Sequence, residues 1–255
     1  MRLTLVGTGT SGGVPMIGCA CPVCTSDDPK DRRLRSAAFI DTDDGRRVAI
    51  DCGPDFRQQM LREGADDLDA ILFTHEHRDH TAGLDDVRAI NFLRRKPIAV
   101  YATARVMASL REQFAYIFQP TDYGGLPQLT FHEIDGEAPF EAAGLTVTPI
   151  PVWHARMPVL GFRVGGMAYV TDTNRIPDDS LERLRGVELL VLDALRRERH
   201  VSHFSLDEAL EVVAELAPAE TLLTHVSHQM GRAAEVDPTL PEGVRLGFDG
   251  VKRYF

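Results

Sequence analysis

His75-Glu76-His77-Arg78-Asp79-His80 carries four potential metal ligands in six residues, directly behind the apolar run Ala70-Ile71-Leu72-Phe73. Imidazole nitrogen and carboxylate oxygen are donors that Zn, Mn and Fe ions favour. A strand ending just before His75 would deliver these side chains to the rim of a sheet. There a loop can fold them around more than one ion.

Three further candidates stand at the ends of apolar runs. His154 follows Val147–Val152, Asp172 follows Ala168–Val170, and His225 follows Thr221–Leu223. Repeated placement of a histidine or aspartate just past a buried strand predicts convergence at one sheet edge. Other β-type runs are Leu3–Val6, Arg47–Ile50, Ile98–Tyr101, Leu145–Pro149 and Leu189–Leu192. Helical periodicity spans Thr81–Leu93 and Val106–Phe118, and Ser205-Leu206-Asp207-Glu208 is a capping-box signature opening a third helix. The mixture predicts a layered α/β fold. Leu145, Val164 and Val170 follow one another too closely for helical crossovers, so the sheets should be mixed, with hairpins. No linker or repeat interrupts the chain, which predicts one domain over residues 1–255. The stretch Gln119–Pro127 reads as an exposed loop.

The 255 residues suffice for a substantial core. With 28 basic against 38 acidic residues the net charge is −10. That argues against nucleic acid as a partner, which calls for a basic surplus, and leaves room for small anionic substrates held by a few local cations. No apolar run approaches the roughly 20 residues that span a bilayer, and the expected location is cytoplasmic. An exposed apolar edge could support a homodimer.

Three of the four cysteines, Cys19, Cys21 and Cys24, crowd into six residues. In a reducing compartment this reads as metal binding before disulfide formation. A tetrahedral zinc site needs one more ligand. Cys52 sits in a buried strand and reads as a small apolar residue; His228, three residues after His225, is the stronger candidate. The opposing reading is three unlinked thiols in a turn.

The chain resembles the metallo-β-lactamase superfamily over nearly its whole length. The carriers are the H-x-H-x-D-H motif at His75–His80, then His154, Asp172 and His225 in order, with Asp51 matching the family's earlier aspartate behind the ligands. The resemblance implies an αββα sandwich of two mixed sheets flanked by helices, with metals along one edge. It implies that His75, His77 and His154 hold one divalent ion, that Asp79, His80 and His225 hold the other, and that Asp172 bridges them. Asp79 would also orient the nucleophile, a hydroxide generated between ions roughly 3.5–4 Å apart. Oxygen-reducing di-iron relatives carry glutamate where this chain has His77, so a hydrolase is expected.

A narrower likeness is to the PhnP subgroup of phosphodiesterases. It rests on Gly7-Thr8-Gly9-Thr10-Ser11-Gly12-Gly13-Val14-Pro15, the C-x-C-x2-C cluster, Thr224-His225-Val226-Ser227-His228-Gln229 and Gly247-Phe248-Asp249-Gly250. That subgroup hydrolyses a cyclic ribose phosphate and binds manganese. The expected substrate is accordingly a small cyclic phosphodiester such as 5-phosphoribosyl 1,2-cyclic phosphate, with Mn, Zn or Fe at the active site and one structural Zn on Cys19, Cys21, Cys24 and His228. In PhnP a histidine immediately before the capped helix assists catalysis. His203 aligns with it better than His200 does, and a histidine can protonate a departing alkoxide near neutral pH.

Arg156, two residues past His154, is a candidate for gripping a substrate phosphate bidentately, the opposing reading being a solvated loop arginine. Arg78 has weaker standing, and His132 reads as an ordinary strand residue. The glycine-rich opening is expected to bring backbone close to the metals, with amides facing the substrate. Competing readings are a tRNA 3′-processing nuclease, a lactonase or thioesterase with the same ligands, and a zinc-stabilised binding protein of cofactor biosynthesis without catalysis.

Overall fold

The structure, a computed structural model, describes residues 1–119 and 122–255. Among these the chain runs β1 (Arg2–Gly7), β2 (Ala37–Asp41), β3 (Arg47–Ile50), α1 (Phe56–Arg62), β4 (Ala70–Leu72), α2 (Arg78–Thr81), α3 (Arg88–Arg94), β5 (Ile98–Ala102), α4 (Ala104–Gln113), α5 (Ala115–Phe118) and β6 (Leu129–Glu133). It continues through β7 (Phe140–Ala142), β8 (Leu145–His154), β9 (Met157–Val164), β10 (Met167–Val170), α6 (Asp178–Leu184), β11 (Leu189–Asp193), α7 (Leu206–Leu216), β12 (Glu220–Thr224), α8 (Ala233–Val236), β13 (Val244–Leu246) and β14 (Lys252–Tyr254).

The strands form two seven-stranded sheets, ordered β14-β1-β2-β3-β4-β5-β6 and β13-β12-β11-β10-β9-β8-β7. In the first, β3 to β6 run parallel while β14, β1, β2 and β3 pair antiparallel. In the second, β10 to β13 run parallel and the β7–β8–β9–β10 meander is antiparallel. Parallel strands are covered on both faces and so read as unbroken apolar runs, which is the character of Met167–Val170 and Leu189–Leu192.

Alternation along each strand separates two faces. Leu3, Leu5, Ile40, Val48, Ile50 and Leu72 of the first sheet meet Val147, Phe162, Met167, Tyr169, Val191 and Leu222 of the second in the central core. The outer face of the first sheet packs Phe39, Ile71 and Phe73 against Phe56, Met60, Ile90 and Leu110 of the helices. The outer face of the second packs Val152, Val170 and Leu192 against Leu184, Leu206, Ala209 and Val213. Helices therefore cover both outer faces, and the expected αββα sandwich is what forms.

Two helices differ from the periodicity. Thr81–Leu93 is not continuous: α2 stops at Thr81, a 3₁₀ turn covers Leu84–Val87, and α3 follows. Gly83 is the break, because its amide donates to the Cys52 carbonyl and a Cβ there would lie 2.1 Å from the Gly53 oxygen. The run Val106–Phe118 bends at Phe114, whose backbone (φ −120°, ψ 40°) separates α4 from α5. Capping at Ser205 forms as expected, with Glu208 completing the box. Of the exposed loop at 119–127, Pro120 and Thr121 lie outside the described residues; residues 122–127 are irregular, and all but Pro127 are at least partly exposed.

Candidate active site

Parallel strands end at a common edge, and the site is built from those ends. Asp51 follows β3, His75 stands three residues past β4, Asp172 two past β10, Asp193 closes β11 and His225 follows β12. His154 closes β8, which is antiparallel to β9 and hence parallel to β10, so it reaches the same edge. Asp51, Asp172 and His225 turn the chain through left-handed backbone conformations (φ 64°, 51° and 57°). Such conformations cost about 1–3 kcal/mol each in non-glycine residues and gather at functional sites. The Asp51-Cys52-Gly53 segment clasps the histidine motif: Cys52 N donates to the His80 carbonyl at 2.8 Å, and a Cβ on Gly53 would lie 1.9 Å from Asp79 O.

Donor atoms of Asp79, His80, Asp172 and His225 all lie within 4.8 Å of one another, as do those of His75, His77 and Asp172, and those of His154, Asp172 and His203. Asp172 belongs to all three of these groups. His154 is drawn towards His203 rather than grouped with His75 and His77, whose rings are 6.0 and 5.3 Å away.

The rings share one orientation. His80 Nδ1 lies 2.7 Å from Asp51 Oδ2, His154 Nδ1 2.7 Å from the Ser202 carbonyl, and His75 Nδ1 2.9 Å from Thr74 Oγ1, whose hydroxyl donates to Asp51. Each partner anchors Nδ1 and leaves Nε2 for the centre. There His80 Nε2 stands 3.3 Å from both Asp79 and Asp172, and His225 Nε2 3.4 Å from Asp172 and 3.7 Å from Asp79. Nε2 of His75, His80 and His225 is buried with no hydrogen-bond partner among the described residues.

Unpartnered buried nitrogens facing carboxylates need an explanation. Two ligands at about 2.0–2.2 Å from one ion lie about 3–3.6 Å apart, which is close to these separations. The residues fit divalent ions. Electrostatics agree: burial, helped by the neighbouring charge of His80, holds His75 well below its ordinary pKa, keeping the neutral ligating imidazole. Burial works against ionisation of Asp172, but His225 and His80 overcome it and hold the carboxyl well below its usual range.

His203 stands beside the cluster, its ring 4.5 Å from those of His154 and His225. Its Nδ1 lies 3.0 Å from Oδ2 of Asp193, which is fully buried at the end of β11. Burial opposes a charged His203, yet the charge and hydrogen bond of Asp193 raise its pKa above the ordinary value. Asp193 is absent from the sequence reading although it carries the same signature as Asp172, an aspartate ending an apolar run. His200 is half-buried 5.4 Å from the His203 ring and faces Ser202 rather than a carboxylate.

The second cluster joins Cys19, Cys21, Cys24 and His228 within 4.8 Å. His228 Nδ1 is 3.5 Å from Cys19 Sγ and 3.3 Å from Cys21 Sγ, against about 3.5 Å for ligands on a tetrahedral zinc ion. Amide donation from Cys24, then His228, lowers Cys21 to about 6, while burial raises Cys24 to about 11. Cys52 is buried under the first sheet's helices, away from this cluster.

The glycine-rich opening is tied to neighbouring backbone through several of its amides. Gly9, Thr10 and Val14 donate to the carbonyls of Leu34, Val226 and Arg33, so the segment braces the site. Its partner motif has the same role: Asp249 accepts from Thr8 Oγ1 and Leu34 N. His132 lies in β6, stacked on Tyr101. Arg156 is exposed in the turn between β8 and β9, and Arg78 is exposed at the start of α2.

Residues 46–226 match the β-lactamase superfamily domain. A crystal structure described as a new diphosphatase from the PhnP family is 42% identical, with a TM-score of 0.92 over 99% of this chain and 97% of the other. An octanoyltransferase of Porphyromonas gingivalis is 43% identical over 99% of this chain and 51% of its own length, so the chain spans about half of that relative. Zinc-bound PqqB from Methylobacterium extorquens shares the fold, at 20% identity and a TM-score of 0.80 over the whole of both chains. With its motif-bearing strand ends converging on one sheet edge, the chain belongs to the metallo-β-lactamase superfamily and, within it, to the PhnP family.

Proposed function

We propose that the protein is a dinuclear metal-dependent phosphohydrolase that cleaves a P–O bond in a small anionic phosphodiester or phosphoanhydride. A cyclic ribose phosphate such as 5-phosphoribosyl 1,2-cyclic phosphate and a diphosphate linkage both fit. The observation that carries this reading is the pairing of His203 with Asp193 beside the ligand cluster. An alkoxide is a poor leaving group and departs readily only with a proton, whereas a thiolate, with a parent pKa near 8.5, leaves without one. An imidazole fixed at the cluster by a carboxylate, and so suited to carrying a proton, fits the former.

Divalent ions held by His75, His77, His154, Asp79, His80, His225 and the shared Asp172 would bring the pKa of a bound water towards neutrality and draw charge from the phosphoryl oxygens. Asp79 would both ligate and orient the attacking oxygen. Asp51 and Thr74 hold His80 and His75 to their task. His203 gives its proton to the departing oxygen as the bridging P–O bond breaks; the water oxygen forms the new one, and the proton lost by water restores the balance. The thiol cluster would hold a structural zinc, a role that suits a reducing, cytoplasmic setting.

The 42% identity to a PhnP-family diphosphatase supports phosphorus chemistry. A second reading, hydrolysis of an octanoyl thioester, is favoured by the Porphyromonas gingivalis octanoyltransferase. Metal-reconstituted protein should be assayed on cyclic ribose phosphate, bis-p-nitrophenyl phosphate, a dinucleoside diphosphate, a lactone and an octanoyl thioester. Turnover confined to the lactone or thioester would overturn the phosphodiesterase reading.

A further inference from the structure

Oδ1 of Asp193 and Nδ1 of His225 are both buried and both without a hydrogen-bond partner among the described residues. They face each other 3.8 Å apart. Strand pairing puts them there: β11 runs parallel to β12 with Asp193 opposite Thr224, so the carboxylate stands beside the first residue past β12. Oδ2 of the same group is already engaged. It accepts from the Thr173 amide at 3.1 Å and the Phe204 amide at 3.4 Å, and lies 3.0 Å from His203 Nδ1. Thr173 is the residue after Asp172, so this one oxygen ties the loop of a ligand to the loop of the proton donor.

The two imidazoles form a pair. The rings of His203 and His225 lie 4.5 Å apart and within 14° of parallel, and each turns its Nδ1 to one oxygen of Asp193. His80, His75 and His154 have Nδ1 partners in Asp51, Thr74 and Ser202, whereas Nδ1 of His225 has none at hydrogen-bond distance. An imidazole that gives Nε2 to an ion carries its proton on Nδ1, and a buried N–H needs an acceptor. Among the described residues Asp193 supplies the one carboxylate within 4.0 Å of that nitrogen.

We infer that Asp193 is a positioning residue for two groups at once: Oδ2 holds His203, and Oδ1 accepts the Nδ1 proton of His225 when Nε2 of that ring ligates an ion. The 3.8 Å gap closes to a hydrogen bond with a movement of about 1 Å or less. The carboxylate thereby couples the ion of Asp79, His80 and His225 to the setting of the proton donor. A carboxylate can serve both rings because both of its oxygens accept, whereas a carboxamide has one accepting oxygen and a nitrogen that donates. The inference deepens the proposed function and rests on its two-ion part.

Asp193→Asn isolates the second role. Thr173, His203 and Phe204 keep the amide oxygen at the Oδ2 position, which leaves the NH2 group against the Nδ1 proton of His225, donor facing donor. Manganese, which nitrogen and oxygen donors accept and thiolates do not favour, is titrated into full-length protein whose cysteine cluster holds zinc, with far-ultraviolet dichroism as the check on folding. One ion should bind about 10–100-fold more weakly in the variant, the usual effect of losing a group that orients a ligand, and the other should be unchanged. In zinc-loaded wild type, nitrogen-15 histidine spectra should show a slowly exchanging Nδ1 proton on His225, shifted downfield by the carboxylate and lost in the variant. Equal weakening of both ions or of neither would overturn this role, as would a proton resonance that persists in the variant. A third manganese ion bound by wild type and lost in the variant would mean that Asp193, His203 and His225, whose donor atoms lie within 4.8 Å, are themselves ligands, which also overturns it. Wild type that takes up a single manganese ion would overturn the dinuclear reading instead, and the proton resonance would still decide the role of Asp193.

Discussion

Oδ2 of Asp193 lies 3.0 Å from Nδ1 of His203, and this bond turns the opposite ring nitrogen away from the carboxylate. The phenylalanine that follows His203 also donates its amide to the same oxygen at 3.4 Å, so the carboxylate fixes both ring and backbone.

His203→Ala should lower kcat on alkyl or ribosyl esters by about 10²–10⁴, the range for loss of a general acid. On bis-p-nitrophenyl phosphate the loss should stay below about tenfold, because nitrophenolate departs unaided. Asp193→Asn keeps an acceptor near Nδ1 but loses the charge, and should show the same leaving-group dependence with a smaller amplitude. Metal content measured alongside separates proton donation from ligation. Loss of an ion from His203→Ala would reassign the residue as a ligand with His154 and Asp172.

Asp51 accepts from His80 Nδ1 at 2.7 Å and from the Thr74 amide at 2.9 Å, while touching no substrate-facing surface. Asp51→Asn should therefore reduce metal affinity about 10–100-fold, as is usual for a group that orients a ligand. Competition with a graded series of chelators would read this directly. An unchanged affinity together with lost activity would mean that Asp51 serves the reaction in another way.

What could be read from the sequence was whatever local chemistry announces. A ligand set confined to six residues, and single donors at the ends of apolar runs, follow from side-chain type and strand periodicity alone. Asp193 carries that signature and could have been found by it. The Ser202 carbonyl that anchors His154 could not, because any residue supplies a carbonyl and only the fold brings position 202 to position 154. The pairing of β14 with β1, which joins Arg2 to Tyr254 in register, is likewise a long-range fact with no local signal. At Gly83 the apolar period continues across a true break, since periodicity reports which face is buried and not whether backbone of Cys52 and Gly53 crosses there.

Residues 11–28 contain neither helix nor strand, and their own core is only Val14, Val23 and Cys24, with Cys19 and Cys21 packed against it. Ordering backbone costs about 1–2 kcal/mol per residue, while burying an aliphatic side chain returns about 1.5–3 kcal/mol. So small a core cannot hold the segment. A zinc ion on Cys19, Cys21, Cys24 and His228 would make up the difference. His228→Ala or Cys21→Ser should remove about one zinc per chain and open residues 11–28 to limited proteolysis, with the far-ultraviolet dichroism of the sheets retained. Resistance to protease in the zinc-free variant would count against a structural role.

The helix that follows His203 begins with Ser205, whose hydroxyl and amide both donate to Glu208 Oε2, at 2.8 and 2.9 Å, while the Glu208 amide donates back to Ser205 Oγ at 3.4 Å. Burial opposes the charge on Glu208, but the Ser205 amide and hydroxyl, with Arg199, outweigh it and hold the carboxyl below its ordinary range. A carboxyl whose pKa is depressed on folding stabilises the native state above its unfolded pKa, and that contribution fades as pH falls through the folded value. Ser205→Ala should lower stability by about 1 kcal/mol at neutral pH. For Glu208→Gln, the deficit against wild type should be full above about pH 5 and shrink as the pH drops below the usual glutamate value of about 4.3. Urea unfolding of wild type and variant in parallel reads only their difference, so protonation of the metal-site residues cancels. A Glu208→Gln deficit that stayed constant down to acid pH would mean that the helix is held by its packing on the second sheet, through Leu206, Ala209 and Val213, and not by this cap.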